Sequence, residues 1–271
     1  MSAVESSGKG PLDPRKRGLN RGGYHGERID VWSTLAQIDH EAQRRGWEVT
    51  PLNTPPDAYL PAYRRTRAGA ARNVYISAGI HGDEPAGLRA IVRLLVDDRW
   101  PESVNCWLVP CLNPGGFEKS TREDEDGVDL NRDYKTLRTS RVRSHIAWLK
   151  EQPAFDLALL LHEDWESGGF YIYELNPDSQ PSIAEAMVRA VAKNCPIEVA
   201  AEIDGRPASG GMIRFVGRIP ERSEWPEALW LIENKTRHNY TLEAPSDFPL
   251  DLRAEALAIA VQAAMETLRS V

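Results

Sequence analysis

Val74-Tyr-Ile-Ser-Ala-Gly-Ile-His81-Gly82-Asp83-Glu84-Pro85 joins a short apolar run to a His-x-x-Glu pair and then to a proline. Val74 to Ala78 shows no period-two alternation, as expected of a strand buried on both faces. Pro85 suits the first turn of a helix, and Leu88, Ile91, Val92 and Leu95 behind it repeat at i, i+3, i+4 and i+7, the spacing of one helix face. A strand passing into a helix at the carboxyl end of a sheet is where open α/β folds bind ligands. Gly82 leaves the backbone free to curl, so the His81 imidazole and the Glu84 carboxylate can face one ion. Alone, the H-x-x-E spacing is a weak motif.

The same grammar extends outward. Cys106 to Val109 and Leu157 to Leu161 read as further buried strands, with a helical stripe at Ile146 to Leu149 between them, and alternating strands and helices imply an α/β layered sheet. Beyond Gly168, GFYIYEL reads as a strand and Ser182 to Lys193 as a helix. Asp204 to Pro220 reads as a Gly- and Arg-containing loop bordering a site. His238 to Glu243 then reads as a strand, and Leu252 to Leu268 as an amphipathic helix capping the core. No repeat or linker divides the 271 residues, so a single domain over residues 24–271 is expected. A polar, disordered tail is expected over residues 1–23, and a surface connection over the proline-rich stretch Pro51 to Pro61.

With 27% charged residues and a mean hydropathy of −0.46, the chain is not built to span a bilayer. It has neither the roughly 18 apolar residues of a spanning helix nor the roughly 7–15 of a secretory signal, so a cytoplasmic location is expected. Forty acidic against 33 basic side chains give a net charge of −7, which offers no general attraction to nucleic acid or anionic lipid. Cys106, Cys111 and Cys195 cannot all pair within one chain and are expected to be reduced. Cys106 and Cys111 would point to opposite faces if Val104 to Cys111 is one strand.

A catalytic zinc takes three protein ligands and leaves a fourth position open. His162, closing the apolar strand Leu157 to Leu161, supplies a third donor at the same sheet edge, although a core histidine bonded to a carbonyl would read the same way. Glu163 or Asp164 would be placed to orient a ligand. Between the two histidines, Asn113-Pro-Gly-Gly opens a loop carrying Arg122, Asn131 and Arg132. Guanidinium groups bind carboxylates in bidentate fashion or stabilise an oxyanion, yet these arginines could equally neutralise the acidic run Glu123 to Asp126. That run is expected to be solvated, its spacing not being that of an EF-hand loop.

Five motifs in order, H-x-x-E, N-P-x-G with an arginine, G-V-D-L-N-R, a lone histidine after an apolar strand, and an aromatic-T-x-E strand, span Ile80 to Glu243. This series resembles the zinc carboxypeptidases of the carboxypeptidase A type and their acylase relatives. The resemblance implies a single three-layer α/β/α domain with a mixed twisted sheet of about eight strands. It implies one zinc ion on His81, Glu84 and His162, Arg122 as oxyanion stabiliser, Asn131 and Arg132 as anchors of a substrate carboxylate, and Glu243 as general base. Read without the family, Glu243 is as well explained by a structural ion pair. The implied chemistry is metal-assisted hydrolysis of a short peptide or small amide with a free carboxylate; His₂Glu sites also accept cobalt or manganese.

The departures bear on the substrate. Gly82-Asp83 stands where digestive carboxypeptidases carry Ala-Arg, which looks more like murein peptide amidases and the aspartoacylase or succinylglutamate desuccinylase branch. N-P-G-G replaces N-P-D-G, the family's mobile tyrosine has no evident counterpart, and Arg214 and Arg218 are pocket-lining candidates against a plain solvated reading. The 28 residues after Glu243 leave room for one helix rather than the β-rich domain of aspartoacylase-like enzymes. That favours a metallocarboxypeptidase, with an N-acyl amino acid amidohydrolase as the alternative. A silent peptide-binding module is disfavoured because every matched position keeps a competent residue.

Overall fold

A computed structural model describes residues 15–52, 60–217 and 221–269. In chain order its elements are α1 (Val31–Arg44), β1 (Glu48–Pro51), β2 (Pro61–Arg65), β3 (Arg72–Ala78), α2 (Ala86–Asp97), β4 (Val104–Val109), α3 (Pro114–Lys119), α4 (Ser140–Glu151), β5 (Leu157–Asp164) and β6 (Tyr171–Leu175). There follow α5 (Ala184–Val191), β7 (Glu202–Ile203), β8 (Arg206–Pro207), β9 (Met212–Phe215), α6 (Glu227–Asn234), β10 (Asn239–Pro245) and α7 (Leu250–Arg269).

The three apolar runs become β3, β4 and β5, adjacent and parallel at the centre of an eight-stranded mixed sheet in the order β1-β2-β4-β3-β5-β10-β6-β9. Burial on both faces follows from what covers them. Val74, Ile76 and Ala78 enter one core with residues of α1, α2, α5 and α7, whereas Tyr75, Trp107 and Leu160 enter a second core with α4 and α6. Successive strand side chains point to opposite faces, so a helical layer on each side makes the α/β/α sandwich that the residues and the resemblance both imply.

Local signals account for the element ends. Asp30 caps α1 by accepting from the Ser33 N–H at 3.0 Å, and Thr139 caps α4. Pro85 stands one residue outside α2, at its N-cap. The stretch Asp204 to Pro220 departs from the expected loop. It contributes part of the small β7–β8 pair, and β9, which adds to the sheet edge parallel to β6. The Gly210-Gly211 turn, both residues at positive φ, delivers Met212 to that edge, and four residues are too few for the alternation to stand out in sequence. β4 stops at Val109, so Cys111 lies beyond the strand; all three cysteines are free and buried.

Residues 1–14 of the expected tail, 53–59 of the proline-rich connection, and Arg218 lie outside the described residues. Residues 15–23 form neither helix nor strand, but the Gly18 and Leu19 N–H groups each donate to the Asp247 carboxylate at 2.8 Å. Among the described residues no helix is long and apolar enough to cross a membrane.

Candidate metal centre and active site

Two glycines shape the turn after β3. Gly79 sits at φ +62, a conformation that disfavours side chains, and a Cβ on Gly82 would lie 2.0 Å from the Gly116 carbonyl carbon. Gly82 is therefore required by the close approach of α3, whose loop accepts the Gly82 N–H on Thr121 O at 2.9 Å. This packing turns His81 and Glu84 inward. His81 Nδ1 lies 2.6 Å from Glu84 Oε1, and His162 Nδ1, at the end of β5, lies 2.9 Å from Glu84 Oε2. One ligand atom from each falls within 4.8 Å of the others, and all three residues are buried. Burial alone would raise the Glu84 carboxyl, but the two imidazoles hold it far below the ordinary range. Burial would likewise lower His81, and Glu84 outweighs it. Two imidazole nitrogens and one carboxylate converging on one point are the donor set of a three-ligand catalytic zinc site.

Sequence reasoning missed the residue that organises the next layer, Asp129. Its Oδ1 caps the 3-10 turn Leu130–Arg132 by accepting the Asn131 N–H at 2.8 Å, and the same oxygen lies 3.4 Å from His81 Nε2. Its Oδ2 accepts Arg122 Nε at 2.9 Å. A carboxylate behind a ligating histidine fixes the ring and raises its basicity. Burial opposes its charge, but His81 and Arg122 keep it far below the usual range. An aspartate just before a turn was the available signal; the expected orienting acids lie elsewhere. Glu163 points to the opposite sheet face, where it meets Arg253, Ser246 and the start of α2, and Asp164 accepts the Tyr171 hydroxyl at 3.0 Å.

Asn113 caps α3 and holds the Arg122 carbonyl through Nδ2 at 3.3 Å, which explains the N-P-x-G motif as scaffold for the arginine. Arg122 Nη1 stands 3.4 Å from His81 Nδ1 and 3.9 Å from Glu84 Oε1, against the metal cluster. Asn131 Oδ1 accepts the Glu227 N–H at 2.9 Å, and Arg132 donates to the Asn131 carbonyl at 2.8 Å. Glu243 on β10 is the register partner of His162 on β5, so both side chains leave the same sheet face side by side. Among the described residues it has no hydrogen-bond or ion-pair partner. Burial pushes its carboxyl up to about 8; His162 opposes this, and Glu84 and Asp164 add to it.

All seven residues expected at the site line one cleft of about 660 Å³. Leu160 and Thr241 lie two positions before His162 and Glu243 on their parallel strands, and Tyr173 two positions after Tyr171 on the antiparallel β6, each on the same face and about 7 Å deeper. Arg132, Arg206 and Arg222 also line this cleft. Arg206 stacks over Phe215, with its charged carbon 5.0 Å from the ring centroid. Burial and the neighbouring charges of Arg206 and Arg132 push the Arg222 guanidinium below its ordinary value. Arg214 is instead ion-paired with Glu174 at 3.0 Å and with Glu185. Arg206 belongs to the Arg-containing stretch expected to border a site, and Arg222, beyond it, carried no sequence signal. The acidic run is not uniformly solvated either: Asp124 is buried, accepting the Val128 N–H at 2.9 Å, and Glu125 pairs with Arg141 at 2.6 Å.

The family model for the succinylglutamate desuccinylase/aspartoacylase catalytic domain matches residues 70–219. Among solved structures, a candidate metallopeptidase from Shewanella amazonensis SB2B is 24% identical, covering 88% of this chain and 93% of its own with a TM-score of 0.75. Another from Shewanella denitrificans OS217 is 21% identical, with 95% and 97% covered and a TM-score of 0.74. A metallo-carboxypeptidase from Pseudomonas aeruginosa, in complex with (2-guanidinoethylmercapto)succinic acid, is 16% identical, with 89% and 70% covered and a TM-score of 0.68. These likenesses show a carboxypeptidase-like fold. Carboxypeptidase SOL1 of Arabidopsis thaliana is 30% identical over 93 residues, 27% of this chain, and the match spans about a fifth of that relative's length.

Proposed function

Since the chain belongs to the succinylglutamate desuccinylase/aspartoacylase catalytic-domain family, we propose that it is a zinc-dependent hydrolase of amide bonds whose leaving amine bears a free carboxylate, acting first on the C-terminal bond of short peptides. The observation that carries this reading is Glu243: a carboxylate beside the His81–Glu84–His162 cluster, facing a cleft and, among the described residues, without a hydrogen-bond or ion-pair partner. A structural acid would have a partner.

His81, Glu84 and His162 would hold the ion, which when bound supplies Lewis-acid polarisation of the scissile carbonyl and an acidified water. Glu243 takes the proton of the attacking water and passes it to the departing amine, and the pair of proton transfers is worth typically 10²–10⁴ in rate. Asp129 keeps the His81 ring in place and aligns Arg122 through its second oxygen. Arg122 meets the developing oxyanion. Asn131 and Arg132 anchor the terminal carboxylate, and Arg206 and Arg222 extend that cationic end toward a second acidic group on the leaving residue. Trp165, Glu166, Glu198 and Glu202 also line the cleft.

The family match favours a second reading, deacylation of N-acyl amino acids with acidic amino-acid products, through the same residues. Mass spectrometry of products separates the two. Zinc-loaded wild type and Glu243→Gln are given L-peptides, γ-D-glutamyl-diaminopimelate peptides, N-acetylaspartate and N-succinylglutamate. Release of a C-terminal residue by wild type alone supports the peptidase, deacylation alone supports the acylase, and equal turnover by both proteins removes Glu243 from the mechanism.

A further inference from the structure

Behind the cleft runs a buried polar chain that hydrolysis does not use. Glu227, the first residue of α6, is 1% exposed, and its carboxylate accepts the Tyr75 hydroxyl at 2.8 Å and the Ser77 hydroxyl at 3.0 Å. The Tyr75 oxygen also lies 2.8 Å from His145 Nε2, and His145 Nδ1 lies 2.7 Å from the Tyr134 hydroxyl. Burial pushes the Glu227 carboxyl up and the Tyr75 and Ser77 hydroxyls that donate to it oppose this; with Glu227 accepting from both, proton counting gives the direction of the remaining bonds. Tyr75 has one hydroxyl proton and gives it to Glu227, so His145 must donate to Tyr75 from Nε2. Fully buried, His145 is held neutral, and a neutral imidazole has a single N–H, so its Nδ1 accepts from Tyr134. The whole chain of donors runs toward Glu227.

The same residue touches the substrate end of the site through its backbone. Its N–H donates to Asn131, and a backbone N–H can bond only the oxygen of an amide, so Oδ1 is turned toward α6. Nδ2, a donor, is then the atom Asn131 has to offer the cleft that it lines. If the first turn of α6 were free to shift, the amide could rotate and present its oxygen, which repels a carboxylate. We propose that Glu227 is a positioning residue for substrate binding: clamped by Tyr75 and Ser77, it fixes the Asn131 amide with its N–H toward the substrate carboxylate. This rests on the reading that Asn131 and Arg132 anchor that carboxylate.

The test uses zinc-loaded protein in the Glu243→Gln background, so that ligand is not consumed, and compares the Kd of N-acetylphenylalanine with that of its C-terminal amide. Adding Glu227→Gln, which sets an NH₂ against hydroxyl donors, is expected to weaken the acid about tenfold, the scale of one hydrogen bond to a charged group, and to leave the amide unchanged. Adding Tyr75→Phe instead is expected to do the same to a smaller extent. The ¹⁵N shifts of His145 are expected to report an Nε2–H tautomer in the wild type. Equal losses for acid and amide, no loss in a folded Glu227→Gln protein, or an Nδ1–H tautomer would each overturn the proposal. Failure of the hydrolase reading shows elsewhere, as absent turnover by the wild type with the acid–amide contrast intact.

Discussion

Glu163 and Glu243 stand on neighbouring strands within two residues of the same metal cluster, both are pushed up by burial, and their surroundings are opposites. Glu163 faces the core side. Fully shielded, it meets the fully buried Arg253, which is tied onward to Glu27 at 2.8 Å, along with the Ser246 hydroxyl and the first N–H of α2. Glu243 faces the cleft and, among the described residues, has no hydrogen-bond or ion-pair partner. A fold bears the desolvation of a carboxylate either by surrounding it with donors or by leaving it for a visiting group, and only the second arrangement leaves the acid available to take up a proton. Adjacent positions on one strand, His162 and Glu163, fall on opposite sides of that divide because strand side chains alternate.

The comparison can be broken in order of consequence. Removing the ion with a chelator, or replacing His162 with Ala, should reduce turnover to background, with bound zinc falling from one per chain to none by elemental analysis. Glu243→Gln should cost about 10²–10⁴ in kcat while retaining zinc; a variant that loses the metal instead would make Glu243 a ligand. Glu163→Gln should do the reverse. It leaves the buried Arg253 with Glu27 as its remaining charge partner, a loss of about 1.5–3 kcal/mol in denaturant unfolding, with kcat per folded molecule maintained.

pH sharpens the contrast. In the metal-free protein Glu243 holds a proton up to about 8, whereas the unfolded chain releases it near 4.5. The folded state thus binds the extra proton in that window, and stability should fall as pH rises from about 4.5 to 8. Glu243→Gln should flatten the slope in thermal melts taken across the window. The smallest effect belongs to Arg206→Ala, which should raise KM several-fold for substrates with an acidic leaving residue and leave neutral ones unchanged, as read from paired kinetics.

Much of the centre was legible because its signals are local. His81 and Glu84 share one turn and His162 closes an apolar strand, whereas Glu243 stood out only through the family resemblance. Asp129 was overlooked because its importance lies in reaching His81, 48 positions away in sequence. The meeting of Arg206 and Arg222 with Arg132 was illegible for the same reason: it is made by a hairpin and by β9, elements too short to declare themselves. Short edge strands such as β1, exposed along its length, lack the apolar pattern that marks β3 and β5. Asn131 was legible as a residue of the site but not in its bond to α6, which depends on where a helix nearly a hundred residues later begins.

β10 lies between β5 and β6, although both of those strands are complete by Leu175 and β10 begins only at Asn239. During synthesis the emerging polypeptide therefore presents His81, Glu84 and His162, the proposed metal ligands, before it can close the gap in its own sheet. Such late, long-range strand pairing is slow to form, and the open edge it leaves invites association with other chains. The strand that closes the gap is the one that carries Glu243. Under the proposed function, the general base thus arrives with the last strand of the sheet, after the residues that would hold the ion.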